Sequence, residues 1–328
     1  MDSIGFIGDI HKHPKNLEHA LVVLKEKGIT QGIANGDLGD REEDIAYVLE
    51  QLGKSGITWV VQPGSHEWVT HFECVFNELE LTYGNLRNAF FQRRIEKPDY
   101  HLVFLPGSDF CSNGQYFLRA IESGEEGHYL QTPQGMQKIM PNQLPEIMGT
   151  PQAKAALCYI TNIYSLRKHV VEPEKTILVC HVPPFFSNLA IGVDMAHYGE
   201  VTETFVDARK AMPITKGSIF PLPYARVFAA AGAPLAIKKE NRGNKKLQQL
   251  VQELGIKKGV FNHFHESSHR AHDSACSPVA EGTFTDNLYW MSGWLDYGHF
   301  GILHIDKNNV AYENLSVRGK DGQTGGAG

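Results

Sequence analysis

The chain has 328 residues, 42% hydrophobic and 21% charged, an ordinary globular composition with length for one large core and substantial insertions. A formal net charge of -6 with histidine neutral gives no general attraction for a polyanion, so nucleic acid is not the default partner. No apolar run approaches the roughly 18 residues of a membrane span, and five scattered cysteines (Cys74, Cys111, Cys158, Cys180 and Cys276) argue for a reducing, cytoplasmic setting over a disulfide framework or zinc knuckle.

Residues 4–7 read as a first strand, not a targeting segment, and stop at Gly8-Asp9. Leu17, Ala20, Leu21 and Leu24 then recur at helical spacing, one apolar stripe for a sheet. A second strand is expected at 32–34, ending at Gly36-Asp37. Ile45, Val48, Leu49 and Leu52 form the next stripe, and 57–61 a third strand before Pro63-Gly64. This alternation predicts right-handed parallel crossovers with helices covering the sheet. Residues 101–105 read as a strand, whereas 124–152, rich in Gly, Pro, Gln and Met, predict a long surface excursion. Ala156, Tyr159, Ile160 and Ile163 predict a return to helix, and 176–180 a buried strand stopping at His181. No sheet pattern is visible from 185 to 239, a stretch expected as a lid or inserted lobe, with Asp194 and His197 as candidates for a mobile lid. A helix with Leu247, Leu250, Val251 and Leu254 inward, a short strand at 258–261 and an antiparallel hairpin at 300–315 follow. The pattern predicts one domain over 1–318 with insertions near 82–152 and 185–245, and a flexible glycine-rich tail at 319–328.

Polar residues gather just beyond these strands: Asp9 and His11, Asp37 and Asp40, Ser65, His66 and Glu67, His181, then His263 and His265. The carboxyl ends of parallel strands point one way, so these residues are expected to converge on one rim. A lone Asp there is more often a turn or helix-cap residue, and a lone His a hydrogen-bonded ring. Independent turn residues, however, have no reason to place Asp or His at the exits of four strands. Asp9 and His11, like His263 and His265, are two apart, and in an extended segment they share a side and can grip one ion. Carboxylate with imidazole suits Mn, Fe or Zn better than Ca or Mg, and Asp37 is placed to bridge two ions about 3.5–4 Å apart. Cys180, beside His181, is expected to face the core.

The segments Gly8-Asp9-Ile10-His11, Gly36-Asp37-Leu38-Gly39-Asp40-Arg41, Gly64-Ser65-His66-Glu67, His181 before Val182-Pro183-Pro184, and Asn262-His263-Phe264-His265 resemble, in order and interval, the calcineurin-like metallophosphoesterase superfamily. The resemblance implies an α/β fold, a four-layer α/β/β/α sandwich with two facing sheets, and a core place for the 300–315 hairpin. It implies that Asp9, His11, Asp37 and His265 hold one divalent ion, and that Asp37, Ser65, His181 and His263 hold another. His66 would act as general acid or orient the phosphoryl oxygens, with Asp40 raising its pKa and fixing its tautomer. Arg41 resembles the basic residue after the second aspartate in the phosphoprotein-phosphatase branch, although a surface salt bridge is at least an equal reading. Ser65 stands where the family has Asn, which implies a weaker second site because a short neutral hydroxyl reaches the ion through water. Asn262 stands where the family has Gly, and is read as accepting a positive φ.

The implied activity is hydrolysis of a phosphate mono- or diester by metal-bound hydroxide, with two divalent ions, Mn first and Fe or Zn as alternatives. A small phosphate ester is favoured, since no track of alternating basic and aromatic residues is visible. A metal-dependent nuclease, and a binding or scaffold protein that keeps the fold without turnover, are the alternatives. Further candidates to line the pocket are His13, His71, Asp109 and Tyr198, together with His197, His269, His272 and Trp294.

Overall fold

A computed structural model describes residues 1–11, 14–110, 114–122, 124–207 and 212–317; His13, Cys111 and the tail at 319–328 lie outside them. Strands Asp2–Ile7, Gln31–Asn35, Thr58–Gln62 and Leu86–Asn88 run parallel in one sheet. The hairpin of His299–Asp306 and Asn309–Ser316 extends that sheet antiparallel beyond Asp2–Ile7, a core place as expected. The second sheet runs in the order Ala271–His272, Leu288–Met291, Lys258–Phe261, Thr176–Cys180, His101–Leu105 and Arg94–Glu96, its middle four strands parallel.

Successive strand residues face opposite sides, and here both sides are apolar. Ile4, Phe6, Ile33 and Val60 meet Leu102, Phe104, Ile177 and Val179 between the sheets. Ile7, Ala34, Trp59 and Val61 share a core with Leu17, Leu24, Leu49, Leu52, Phe72 and Phe76 of helices Pro14–Glu26, Glu42–Lys54 and Val69–Thr82. On the far side, Leu178, Cys180 and Phe261 pack against Leu247, Leu250 and Val251 of helix Lys245–Leu254. Three cores separate four layers, the α/β/β/α sandwich expected. Each such fully buried side chain stabilises the fold by roughly 1.5–3 kcal/mol. Helix Lys245–Leu254 is closed at both ends, the Asn244 side chain accepting from Leu247 N and Gly255 adopting the left-handed conformation.

Several expectations are corrected. Leu157–Asn162 is a strand, not a helix, pairing with Tyr116–Arg119 and Gly127–Thr132. Its apolar residues also satisfy helical spacing, which a short run buried on both faces cannot resolve. The 124–152 excursion contains the hairpin Gly127–Thr132 and Gly135–Lys138 and two short helices. Of the stretch 82–152 expected as an insertion, Leu86–Asn88, Arg94–Glu96 and His101–Leu105 belong to the two central sheets. Within 185–239, Met195–Val201 pairs with Ile219–Pro221 and Leu235–Asn241 in a three-stranded sheet against helix Leu222–Ala230. That sheet was invisible because its strands mix apolar and charged residues around prolines. Among the described residues, no helix is long and apolar enough to cross a membrane.

Candidate metal centre

The two central sheets turn the ends of Asp2–Ile7, Gln31–Asn35, Thr58–Gln62, Thr176–Cys180 and Lys258–Phe261 to one rim. The chain leaves these strands by left-handed backbone: φ is 52° at Asp9, 34° at His11, 56° at Asp37 and 79° at His263. Non-glycine residues enter this region rarely, and the cost, about 1–3 kcal/mol each, clusters at functional sites. The expectation that Asp9 and His11 share a side of an extended segment is therefore corrected; tight left-handed turns swing their side chains inward. The turns are clasped by Asp9 N–H to Gly36 O (3.1 Å), Ile10 N–H to Asp37 O (2.8 Å) and Asp296 N–H to Asp9 O (3.0 Å). Gly64 is required by close approach, since a Cβ there would lie 2.4 Å from Asp37 Oδ1.

Ligand-type atoms converge in groups Asp9–His11–His265, His11–Asp37–His66 and Asp37–His181–His263, each with its atoms within 4.8 Å of one another. Asp9 Oδ1 lies 3.5 Å from His265 Nε2 and 4.0 Å from His11 Nε2, and Asp37 Oδ2 lies 3.2 Å from His181 Nε2 and 3.8 Å from His11 Nε2. Asp9 Oδ1, His11 Nε2 and His181 Nε2 are buried without a hydrogen-bond partner. His181 makes the reason plain. Its Nδ1 must donate to the Asn35 carbonyl (2.8 Å), so a neutral ring turns a lone pair from Nε2 towards the Asp37 carboxylate. Two acceptors face one another, and only a cation between them, a proton or a metal ion, resolves the contact. Without metal the proton serves: burial would lower the His181 pKa, but the Asp37 and Asp9 carboxylates push it up to about 10. Burial depresses His11 to about 4 and His263 to about 3, keeping both imidazoles neutral, the form that ligates. Asp37 is buried, which opposes ionisation, yet His181 and His66 hold it well below the usual carboxylate range. Neutral imidazoles at His11 and His263 beside ionised carboxylates therefore fit divalent cations, and His181 joins them on giving up its proton.

The sequence profile of the calcineurin-like phosphoesterases matches residues 3–207, well over half of the chain. The chain belongs to that family. No curated protein matches it. Among solved structures, the crystal structure of TT1561 of Thermus thermophilus is similar at a TM-score of 0.50 and 12% identity, covering 97% of this chain and 99% of that one. A dimetal phosphatase from Danio rerio follows at a TM-score of 0.45 and 8% identity, covering 96% of each chain. The phosphopantetheinyl hydrolase from Mycobacterium tuberculosis has a TM-score of 0.39 and 12% identity over 89% of each. At such identities the likeness concerns the fold alone, and it rests on TT1561.

Within this centre, His66 Nδ1 donates to Asp40 Oδ1, and its Nε2 turns inward, 3.9 Å from Asp37 Oδ2. Burial would lower the His66 pKa, but the charge of Asp37 and the hydrogen bond to Asp40 push it up to about 9. The Ser65 hydroxyl donates to Asp37 Oδ2 (2.9 Å), and the backbone N–H groups of Ser65 and His66 also donate to the Asp37 carboxylate. Glu67, fully buried, accepts from the N–H groups of Leu38 and Gly64 and so ties the Asp37 loop to the Ser65 loop. Burial and the Asp37 charge push its pKa up to about 7.

Asn262 requires a correction. The positive φ lies at His263, not at Asn262. Instead its buried amide donates to Asp9 Oδ2 (3.1 Å) and Gly293 O (2.9 Å), and accepts from Asn35 Nδ2 (3.0 Å) and Ser292 Oγ (2.9 Å). Asn35 in turn accepts from Gln62, giving a chain of buried amides beneath the centre that the sequence did not announce.

Arg41 is not brought in: its side chain is 71% exposed and its guanidinium pairs with Asp44 one turn along. Asp194 is fully buried and precedes the strand Met195–Val201, on which His197 lies; neither joins the ligand-type groups. Trp294 stacks on His265, ring centroids 4.3 Å apart, and borders the centre. His272 is buried and accepts from Val193 N–H, His269 stacks on His299, and His71 lies beside Trp68; none joins the ligand groups. Asp109 and Tyr198 border a half-buried cluster around Phe110 and Arg242, neither of which sequence reasoning singled out.

Proposed function

We propose that the chain is a metal-dependent phosphoesterase hydrolysing a small phosphate mono- or diester. Asp9, His11, Asp37 and His265 would hold one divalent ion, and Asp37, His181 and His263 a second, with Ser65 beside it. The observation that carries the reading is the set of buried, unpartnered Asp9 Oδ1, His11 Nε2 and His181 Nε2 turned on one space. Manganese is the first candidate because the donor set is rich in imidazole. Bound there, the ions would lower the pKa of water and neutralise phosphoryl charge.

The remaining roles fall to the chain's own side chains. His66 keeps its proton at neutral pH, and with Nδ1 committed to Asp40 it would offer the Nε2 proton to the departing oxygen. Asp37 faces both ligand groups and is fixed there by the Ser65 and His66 N–H groups. Because the Ser65 hydroxyl is spent on Asp37, it favours one second reading, a protein that keeps the fold with the second metal position impaired. The four free cysteines among the described residues suit the cytoplasm proposed for a one-domain enzyme.

The test is manganese titration of metal-free protein, with turnover of a panel of aryl phosphate mono- and diesters. Asp37→Asn should lose both metal sites, and His66→Ala should keep the metals while slowing turnover by roughly 10²–10⁴. Full metal uptake by Asp37→Asn, or wild-type protein inert on every ester, would end the proposal.

A further inference from the structure

Arg242 is a cation held in place by two aromatic rings, with no ion pair among the described residues. Its backbone is fixed from two directions. Fully buried Asp194 accepts from Gly243 N–H (3.1 Å) and Phe186 N–H (2.9 Å), and its backbone carbonyl accepts from Arg242 N–H (2.8 Å). The next residues lock onto the loop that leaves His181: Asn244 N–H donates to Pro183 O (2.9 Å), and a Cβ on Gly243 would lie 2.2 Å from Pro184 O. The side chain then passes between two rings, its guanidinium carbon 5.2 Å from the centre of Phe110 and 5.1 Å from that of Tyr198. Phe110 is itself stacked on His263, a residue of the Asp37–His181–His263 group, at 5.3 Å and 29°.

A guanidinium built in this way ordinarily ends on a carboxylate or carbonyl. Among the described residues Arg242 makes no ion pair and no side-chain hydrogen bond; the carboxylates of Asp109 and Glu200 feel its charge without closing on it. Asp109 accepts from Asn244 through Oδ2 (2.7 Å) and keeps Oδ1 buried without a hydrogen-bond partner, Glu200 pairs with Lys238 (2.8 Å), and Glu240 accepts from the Tyr198 hydroxyl (2.7 Å). The aromatic faces orient the cation without discharging it. Through Phe110 it stands within about 11 Å of His263, within reach of a substrate whose phosphorus lies at the rim.

We propose that Arg242 binds a second anionic group on the substrate, so that the preferred phosphate ester carries a further carboxylate or phosphate away from the reacting phosphorus. Arg242 is a specificity residue here, supplied by the 185–245 segment to a rim otherwise made of ligands. The inference rests on the phosphoesterase reading, and its test separates the two.

The experiment is calorimetric binding of two non-hydrolysable probes, benzylphosphonate and 4-(phosphonomethyl)benzoate, to manganese-loaded protein. Both place a phosphonate at the rim, and only the second carries a distal carboxylate on a rigid ring. The carboxylate should improve binding by about ten-fold, the size of a charge-assisted hydrogen bond to arginine. Arg242→Ala should abolish that gain while leaving benzylphosphonate affinity unchanged, and Arg242→Lys should restore part of it; thermal melts of both variants check that they fold. If benzylphosphonate binds but the carboxylate brings no gain, or the gain survives Arg242→Ala, the role of Arg242 is refuted and the phosphoesterase reading stands. If neither phosphonate binds, that reading fails and the inference falls with it.

Discussion

Asn262→Ala tests whether the amide layer beneath the centre holds the ligands in place. The substitution removes four buried hydrogen bonds, one of them to the ionised Asp9 carboxylate. Three partners keep an alternative: Asp9 Oδ2 retains His263 N–H (3.2 Å), Asn35 retains Cys180 O (3.1 Å), and Ser292 retains a long contact with Phe261 O (3.4 Å). Gly293 O loses its side-chain donor. A neutral bond contributes about 1 kcal/mol net and a charged one about 1.5–3 kcal/mol, while water entering the polar gap recovers part of the loss. The expected destabilisation is about 3 kcal/mol, read by urea denaturation in the presence of a chelator so that metal binding does not contribute. Because Asn262 orients Asp9, manganese affinity should also fall by about 10–100-fold. A loss below about 0.5 kcal/mol with unchanged manganese affinity would show that the layer is inert packing.

Ser65→Asn should return a side-chain carbonyl to the second position and tighten the weaker manganese step by about ten-fold; identical two-step titrations would exclude Ser65 as the cause of any weakness. Manganese binding should also release protons. His181 is protonated in the metal-free protein below about pH 10, so an ion arriving at Nε2 must displace that proton. Affinity at the Asp37–His181–His263 group should therefore rise with pH, about ten-fold per unit between pH 6 and 8, and binding heats should vary with buffer ionisation enthalpy. A pH-independent affinity would mean that His181 holds no proton to lose.

What the sequence disclosed and what it hid divide along physical lines. Strands buried on both faces appear as largely apolar runs, which made 4–7, 57–61, 101–105 and 176–180 visible, and candidate site residues follow all of these but 101–105 closely. Peripheral strands carry no such run: Leu235–Asn241 holds two lysines and a glutamate, and Leu157–Asn162 fits a helical period as well as a pleat. Backbone sign was hidden for a different reason. That Asp9, His11, Asp37 and His263 sit at positive φ depends on hydrogen bonds from loops remote in sequence, such as Asp296 N–H to Asp9 O. Phe110 and Arg242 were missed likewise, because only the tertiary fold brings residues 110, 198, 242 and 263 to one place.

Hydrogen bonds within the chain support the shape of the centre. Asp37 receives the N–H groups of Ser65 and His66 together with the Ser65 hydroxyl, which stabilise its charge against burial. Glu67 binds the Asp37 loop to the Gly64 loop, and the Asn262 amide joins the first strand to the last parallel ones. These bonds offset the cost of the left-handed backbone, and of the oxygens turned on the centre only Asp37 Oδ2 takes part, through the Ser65 hydroxyl. What they leave is two ionised carboxylates beside imidazoles in a buried space, an arrangement whose electrostatic energy falls only when a cation enters. In the metal-free chain the His181 proton partly fills that role, so the same contact that stabilises the empty centre is the one an arriving ion has to replace.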